Sequence, residues 1–435
     1  MGLLDPPAPN RAIAPVKTPL STPAGFSWTN HPLVGKLFID QYGIASTTFD
    51  PTTRKHVGGV TYYVDSINGN DANSGLSDAA ALAKITTAVT KADVGTVMVK
   101  GNGPSNPYYR GRGFNNLKID KNINIIGYGD NLPYITTHDL LTYTLASGQT
   151  YTYQTTRSSV SEVLDMIGAA GGSGVKLTNV ASIEECEAAA GSWFQQDSTL
   201  YVHASDSRNL VNNHPSDIWA LLTTTNVSNT GDFTTYLENL VIYGGSHVVV
   251  ASCASAAGAT FTAVNVETGL SNATQGNNVN LLGCDAVLVN CDTNRSGLDG
   301  YNYHAANGKI CRVLEINCRG WDCGHGITDQ CSTAHDGSQV IRVGGTYRRS
   351  TAANVADVND GTQSWNIACV GDTAGKGFAN WHCGITSDTT GSGPRMWLHG
   401  CSSANADWAT AVYGVGQILS RGSRLDRNRS SISTY

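Results

Sequence analysis

Short runs of apolar and β-branched residues recur through the second half of the chain, and each run ends in a small or polar residue. The runs end 23, 25, 27 and 27 residues apart, at Tyr243, Val266, Cys291, Cys318 and Gly345. Two cysteine positions keep register, since Cys284 and Cys291 are followed one repeat later by Cys311 and Cys318. A repeat of this length, made of strands without a helical stripe, predicts a β-solenoid. In such a fold each coil buries its apolar face by stacking on its neighbours.

The beginning of the repeat has a different pattern. Tyr62-Tyr63-Val64 favours a strand, and a cluster of Gly, Asn and Asp follows it as a turn. Residues 77–93 predict a short helix with Leu82, Ile85 and Val89 on one face. A solenoid exposes open backbone and apolar side chains at its first coil, so we expect this helix to cap it.

Residues 136–222 interrupt the repeat. They contain a capping box, Ser182 and Glu185, which predicts a helix running to Ala190, and residues 192–203 have the pattern of a hairpin. We expect this α+β segment to be inserted into the solenoid. The predicted division is an N-terminal cap with the first coils at 61–135, the inserted segment at 136–222, and the main coils at 223–435.

The N-terminal residues 1–60 are rich in proline, with six prolines among the first 23 residues. Proline has a fixed φ and no backbone N–H, so such a stretch forms neither a helix nor a central strand. We expect residues 1–60 to be an extended arm, of which residues 1–35 attach the protein to a larger particle. The alternative is plain disorder.

Charge and composition narrow the class of protein. The formal net charge of −6 argues against nucleic acid or an anionic membrane as a partner. No apolar run of about twenty residues predicts membrane insertion, and no export signal precedes the prolines. The 11 cysteines lie mostly in or beside apolar runs, which predicts buried free thiols rather than a zinc site. The chain has no phosphate loop, dinucleotide fingerprint or EF-hand motif, so we expect neither a cofactor nor a bound metal.

Three groups of residues follow one another along the chain in a specific order. They are Tyr63-Val64-Asp65 with Gly69-Asn70-Asp71 and Ser74-Gly75; Gly191-Ser192-Trp193-Phe194 with Leu200-Tyr201-Val202; and Asp299-Gly300-Tyr301-Asn302-Tyr303-His304 with Ser332-Thr333-Ala334-His335-Asp336-Gly337. This order resembles the pectate-lyase-like superfamily over most of residues 60–425, which implies an all-β fold, a right-handed parallel β-helix. The activity stays open, because the superfamily includes polysaccharide lyases, glycoside hydrolases, phage tailspikes and non-catalytic adhesins.

Within this superfamily the chain is most similar to bacteriophage tailspike and tail-fibre proteins, because a proline-rich arm precedes the β-helix and an export signal is absent. The similarity implies a homotrimeric virion protein that is released by host lysis and binds a bacterial surface polysaccharide. If the protein is an enzyme, it would depolymerise that polysaccharide. Other tail or capsid proteins would be contacted through residues 1–35. Many tailspikes end in a long C-terminal domain, which this chain lacks, so trimerisation would use the solenoid faces. Two alternatives stay open: a stand-alone polysaccharide lyase or glycoside hydrolase, and a non-catalytic structural component of the virion.

Ionisable side chains are densest between Asp299 and Asp360. Residues one coil apart are about 4.8 Å apart along a solenoid axis, so neighbouring loops can bring several of them into one groove. Two carboxylates there would serve hydrolysis, and a histidine would serve proton abstraction in a lyase. The candidate catalytic residues are Asp299, Asp322, His325, Asp329, His335 and Asp336. The alternative is that these residues stabilise solenoid turns.

Aromatic residues concentrate in the same half of the chain. Aromatic faces bind the apolar faces of sugar rings, while neighbouring polar groups bind the hydroxyls. The candidate substrate-binding residues are Tyr301, Tyr303, His304, Trp321, Tyr347 and Trp365. Several aromatic residues of this half are expected to belong to the core instead.

Overall fold

The computed structural model describes residues 15–108, 116–167, 174–211, 217–272, 276–326, 328–387 and 391–435. Within these residues the chain forms a parallel β-helix, as predicted. Each complete coil contributes one strand to each of three parallel sheets, which we name A, B and C in the order in which the chain visits them.

The strands of the three sheets stack in register along the helix axis. Sheet A contains Val60–Val64, Val94–Lys100, Ile123–Tyr128, Cys284–Val289, Arg312–Ile316, Gln339–Val343, Gln363–Ile367, Arg395–His399, Gln417–Arg421 and Ser433–Thr434. Sheet B contains Tyr134–Thr136, Asp292–Asn294, Arg319–Trp321, Thr346–Arg348, Val370–Asp372 and Ser402–Ala404. Two long strands, Thr234–Tyr243 and Ala259–Gly269, run from sheet A into sheet B. Sheet C contains Leu117–Ile119, Val227–Asn229, Val249–Ser252, Val279–Leu282, Tyr301–His304, Ser332–Ala334, Val355–Asp357, Ala379–Cys383 and Trp408–Val412.

Strand pairing confirms most of the predicted repeat. Glu267, Asp292, Arg319 and Thr346 lie opposite one another in sheet B. Each directly follows a residue that was predicted to end a run, so the spacing of 25, 27 and 27 residues is correct. The fifth position is wrong: Val241 pairs with Glu267, so Leu240 takes the place assigned to Tyr243. The reason is that the strand to which both belong does not end there but continues into sheet B.

Asparagines in the left-handed conformation build the corner between sheets A and B. Asn239, Asn265, Asn290 and Asn317 have φ values of 56°, 52°, 51° and 54°. Their amides form a ladder, in which each Nδ2 donates to the Oδ1 one coil before it, at 3.1, 3.2 and 3.4 Å. Asparagine tolerates this backbone region better than most residues. The ladder therefore repeats the same bend in consecutive coils.

The interior of the coils is mostly apolar and contains a charged network. Glu315, Arg342 and Asp357 are fully buried, and Arg342 donates to Glu315 at 3.1 Å and to Asp357 at 3.3 Å. Buried charges persist only when they are paired and hydrogen-bonded, so this network is part of the fold. The eleven cysteines are buried and free, which confirms that prediction.

The predicted cap is present but is not one helix. A 3₁₀ turn at Asp78–Ala80 is followed by an α-helix at Ile85–Val89, and Leu82, Ile85 and Val89 are buried as predicted. The continuous helix over 77–93 is wrong, because Leu82 forms a β-bridge with Val64 and is held extended between the two turns. None of the helices in the described ranges has the length and apolar character needed to cross a membrane.

The segment 136–222 stands outside the coils. The long strand Thr234–Tyr243 pairs with Tyr134–Thr136, so the coils close on either side of the segment. Its helix, Ile183–Ala188, begins at Ser182, whose side chain accepts the Glu185 N–H as the capping box predicts. One of its two sheets contains Thr144–Leu145, Tyr153–Thr156, Thr178–Asn179, Ser192–Gln196 and Thr199–His203, including the predicted hairpin, and the other contains Val160–Asp165, Val175–Lys176 and Ile218–Leu222.

Residues 15–55, which we call the N-terminal segment, fold back onto the outer face of sheet A. Three short antiparallel strands and a 3₁₀ turn form it: Lys17–Pro19, Leu37–Asp40, Ala45–Thr47 and Pro51–Arg54. Phe26, Trp28, Leu33 and Leu37 are buried against Leu314, Ile316, Ile341, Val343, Trp365, Ile367 and Trp397. The prediction of an extended arm is wrong for these residues, because the outer face of sheet A is apolar and gains from being covered. Residues 1–14 of the predicted arm lie outside the described residues.

Candidate functional site

The loops that lead from sheet B to sheet C carry most of the candidate catalytic residues. We call this region the B–C corner; it comprises residues 295–300, 322–326, 328–330 and 349–354 of three consecutive coils. The inserted segment leaves the coils at the equivalent place of an earlier coil, directly after the sheet B strand Tyr134–Thr136. An open cleft of about 620 Å³ is lined by Glu162, Lys176 and Trp193 of the inserted segment and by Asn272 of the coils.

Asp299 and Asp329 come from consecutive loops of the B–C corner and hydrogen-bond to each other. Asp299 Oδ1 also accepts the Gln330 N–H at 3.0 Å and the Thr333 hydroxyl at 2.9 Å. The Gln330 amide nitrogen bridges the two carboxyls, donating to Asp299 at 2.9 Å and to Asp329 at 3.1 Å. Asp299 is buried, whereas Asp329 is half-buried and reaches the surface. The pair thus presents one accessible carboxyl with a second behind it.

The environment of this pair favours a shared proton. Burial, and then the negative charge of Asp329, raise the pKa of Asp299 well above its ordinary value. Burial raises the pKa of Asp329 to about 6. Two carboxyls in contact cannot both ionise at low cost, so one proton stays between them near neutral pH. The acid and its partner in glycoside hydrolases are about 5–10 Å apart, so these two carboxyls form a single acid rather than an acid and a base.

His325 lies in the same loop as Asp329. Partial burial, and then the positive charge of Lys176, lower the pKa of His325. The imidazole is therefore neutral at pH 7 and able to accept a proton. Lys176 is held at this place by an ion pair with the buried Glu162, at 2.9 Å. A proton donor and a proton acceptor thus occupy one loop beside the inserted segment.

Asp322 and Trp321 lie at the edge of the B–C corner. Arg349 donates to both carboxylate oxygens of Asp322, at 2.7 and 2.9 Å. A carboxylate engaged in this way is a poor second catalytic group. The ring of Trp321 is half-buried, and the guanidinium of Arg319 lies 5.7 Å from its centre. Of the two residues, Trp321 retains a surface on which a sugar ring can stack.

His304, His335 and Asp336 form a second cluster on the outer face of sheet C. The two imidazole rings stack with centres 4.0 Å apart, and His304 Nδ1 is 2.7 Å from Asp336 Oδ2. Burial, and then the neighbouring His304, lower the pKa of His335 to about 4, so this ring is neutral at pH 7. The cluster offers hydrogen-bonding groups fixed in position by their neighbours.

A ladder of polar side chains joins this cluster to the acid pair. Asn302 donates to Asn280 at 3.1 Å, and Thr333, which binds Asp299, is the next residue in register after Asn302. The amide oxygen of Asn302 is buried and has no hydrogen-bond partner among the described residues. The B–C corner and the outer face of sheet C therefore form one continuous polar surface.

Four predicted substrate-binding residues are buried and cannot contact a ligand: Tyr301, Tyr303, Tyr347 and Trp365. Tyr303 and Tyr347 point into the coils, where their hydroxyls donate to Glu315 at 3.0 and 2.6 Å. Trp365 lies on the outer face of sheet A, but Phe26 of the N-terminal segment packs on it. These assignments are wrong, because side chains alternate along a strand and residues 301 and 303 fall on the inner face.

The sequence reasoning missed several polar residues of this surface. Asn302 and Thr333 belong to a motif that was noticed, and their outward position follows from strand alternation once residue 304 is placed outside. Gln330 had no signal beyond its place in a polar loop. No pattern in the sequence indicated Lys176 and Glu162 either, because the inserted segment does not share the periodicity of the coils.

The comparisons with known proteins identify the fold. No family model and no curated protein matches the chain. Among solved structures, XylC in complex with xylose is similar at a TM-score of 0.50, with 9% identity over 84% of this chain and 75% of that chain. Pectate lyase Pel9A is similar at a TM-score of 0.44, with 14% identity over 93% and 80%. The Gp54 tailspike of Acinetobacter baumannii bacteriophage AP22, in complex with a capsular saccharide, gives a TM-score of 0.21, with 11% identity over 77% and 70%. At 9% identity the similarity to XylC concerns the fold alone, and the other two similarities, with TM-scores below 0.5, support no conclusion about this chain.

Proposed function

We propose that this protein binds a bacterial surface polysaccharide along the B–C corner and the outer face of sheet C, and cleaves it by acid–base catalysis. The observation that carries the proposal is the pair formed by Asp299 and Asp329, in which a half-buried carboxyl with a pKa raised to about 6 lies in front of a buried carboxyl with a pKa raised well above its ordinary value. The pair reaches the surface through Asp329, in the loop that also carries His325, and titratable groups with shifted pKa values cluster in this way at catalytic sites.

Each catalytic residue has a defined task in this proposal. Asp329 donates its proton to the glycosidic oxygen as the C–O bond breaks, and the Asp299 carboxyl behind it stabilises the carboxylate that remains by a hydrogen bond. His325 accepts a proton, either from the attacking water in hydrolysis or from the carbon next to a uronate carboxylate in elimination. Trp321, His304 and the Asn280–Asn302 ladder hold the sugar chain.

We further propose that the protein is displayed on a phage virion as a tailspike or tail fibre, as a homotrimer. Residues 1–35 would attach it to other virion proteins, a role suggested by their proline content. Phe26, Trp28 and Leu33 of this stretch pack on sheet A, so the test concerns residues 1–14, which lie outside the described residues. Removing residues 1–14 should leave a folded trimer, as measured by light scattering, that no longer enters particles. Unchanged incorporation would contradict the attachment role.

The decisive experiment for the main proposal is a glycan array followed by two product assays on the polysaccharides that bind. New reducing ends without unsaturated uronate indicate hydrolysis, and unsaturated uronate indicates elimination. The Asp329→Asn variant should bind but not cleave, because the amide keeps the shape and loses the proton. Asp120→Asn is the matched control, since the side chain of Asp120 is 66% exposed and lies outside the corner. Cleavage by Asp329→Asn at the control rate would refute the catalytic role, and binding without any cleavage by the wild type would leave a purely structural or adhesive protein.

A further inference from the structure

The inserted segment carries an outward-facing patch that the proposed function does not use. Thr144, Gln154, Tyr201 and Phe194 lie opposite one another on four neighbouring strands of its larger sheet. A second row beside them contains Thr156, Thr199 and Gln196. The opposite faces of these strands are buried in the core of the segment through Tyr153, Trp193, Leu200 and Val202. Strand alternation therefore directs both rows to the surface.

Thr144, Gln154 and Tyr201 of the first row and Thr156 and Thr199 of the second row line a groove, which we call the insertion groove. Its volume is about 710 Å³, and it is lined by Thr142, Thr144, Gln154, Thr156, Thr199 and Tyr201, with Leu140 and Leu141 along one side. This volume is within the range of small-ligand sites, about 300–1,000 Å³. The ring of Tyr201 stacks on that of Phe194, with centres 6.0 Å apart and planes at 19°, and both rings are half-buried. The two rings therefore make a fixed apolar platform next to the polar rows.

The chemistry of the lining selects the kind of ligand. Among the described residues, those that line the groove carry no charged side chain, and Asp139 and Arg157, next to it in the sequence, are paired with each other at 3.2 Å. A charged ligand would find no counter-charge here. Hydroxyl and amide side chains both donate and accept hydrogen bonds, which matches a ligand with many hydroxyl groups. The stacked rings match the apolar face of a sugar ring.

We propose that the insertion groove binds a neutral glycan, at a site separate from the B–C corner. Tyr201, whose ring packs on Phe194, stacks on a sugar ring, and Gln154, Thr156 and Thr199 bind its hydroxyls. This site does not depend on catalysis at the corner, because no residue is shared between the two. It gives the chain two contacts with carbohydrate, which raises the effective affinity for a surface that displays many copies.

The test uses the full-length chain on an array of neutral glycans, with affinities then measured by titration. Tyr201→Ala and Gln154→Ala should each weaken neutral-glycan binding, by about tenfold or more for Tyr201→Ala, the loss typical of an aromatic anchor. Tyr42→Ala is the matched control, since Tyr42 is 76% exposed on the N-terminal segment, away from the groove. Thermal unfolding of each variant checks that the segment still folds, and Gln154→Ala provides the answer if Tyr201→Ala does not fold.

The outcome is separable from that of the corner site. Asp329→Asn should retain neutral-glycan binding in full, whatever its effect on cleavage. Absence of neutral-glycan binding by the wild type at millimolar ligand, or equal affinity of the wild type and both groove variants, would overturn the inference. Binding that is lost in the groove variants supports it even if the corner proves inactive.

Discussion

Replacing Phe26 by alanine should detach the N-terminal segment from sheet A without unfolding the coils. Phe26 is 2% exposed and contacts Trp397 edge-on at 5.7 Å and Trp365 at 6.5 Å. Buried phenylalanine-to-alanine changes cost about 3–5 kcal/mol, and one flank of this site is a docked segment that can relax, so we expect about 3 kcal/mol. That value shifts the equilibrium between docked and undocked segment by a factor of about 150.

Native-state proteolysis measures this equilibrium directly. Cleavage within residues 15–55 should be about 100-fold faster in Phe26→Ala, while the coils stay resistant and keep their unfolding temperature. Tyr42→Ala, an exposed position in the same segment, is the control for local effects of an alanine. Equal cleavage rates in the two variants would show that the Phe26 contact does not hold the segment. A chain that lacks residues 1–35 should aggregate, since it exposes the apolar face on which Trp365 and Trp397 lie.

Five further outcomes are expected. Cleavage of polysaccharide should decline as the pH rises past about 6, where Asp329 loses its proton, and Asp329→Asn should be at least about 100-fold slower at every pH. The folded state binds the Asp329 proton more tightly than the unfolded chain does. The stability that the Asp329 carboxyl contributes is therefore lost as the pH rises from about 4 through 6. The unfolding temperature of Asp329→Asn should not show this loss. Glu315→Ala should lower the free energy of unfolding by about 3–5 kcal/mol in denaturant titration, and a change below 1 kcal/mol would contradict the role of the buried network. Asn317→Ala should lower it by about 1–2 kcal/mol and Asn317→Gly by less, because glycine accepts the left-handed backbone. A thiol reagent should label none of the eleven cysteines in the native protein and all of them in denaturant.

The coils could be predicted from the sequence because their contacts repeat. Residues such as Asp292 and Arg319 meet one period apart, so a local pattern contains the information about the contact. The asparagine-bent long strand Thr234–Tyr243 was the exception. Its bend lies inside one apolar run, and Tyr243 was therefore aligned three residues away from its partner.

The docking of the N-terminal segment could not be predicted in the same way. Ser27 and Gln363 hydrogen-bond at 2.8 Å although more than 300 residues separate them, and Ser27 belongs to no repeat that would indicate this contact. Proline content indicated an irregular backbone but not the surface on which it rests. The apolar outer face of sheet A was a usable signal, because Leu314, Ile341 and Trp365 are more apolar than an exposed sheet face requires.

The candidate site was predicted in part. Asp299 and Asp329 were named from the density of ionisable residues, and stacking of adjacent loops does bring them together. Their direct contact depends on Gln330 and Thr333, whose side-chain directions no periodicity specifies. Tyr301 and Tyr303 were misassigned, because composition does not say which of two alternating faces is the inner one.

The position of the docked N-terminal segment has a consequence for synthesis of the chain on the ribosome. Trp397 is translated 371 residues after Phe26, which at about 5–20 residues per second takes about 20–70 s. During that interval the strands of sheet A emerge with their apolar outer face uncovered. The N-terminal segment that will cover this face is not yet fully docked. The synthesis of the N-terminal segment and its docking on sheet A are thus separated in time. A chain that stalls before residue 365 would leave both surfaces open, which makes the nascent protein, rather than the finished one, the form most exposed to chaperones and to association with its own copies.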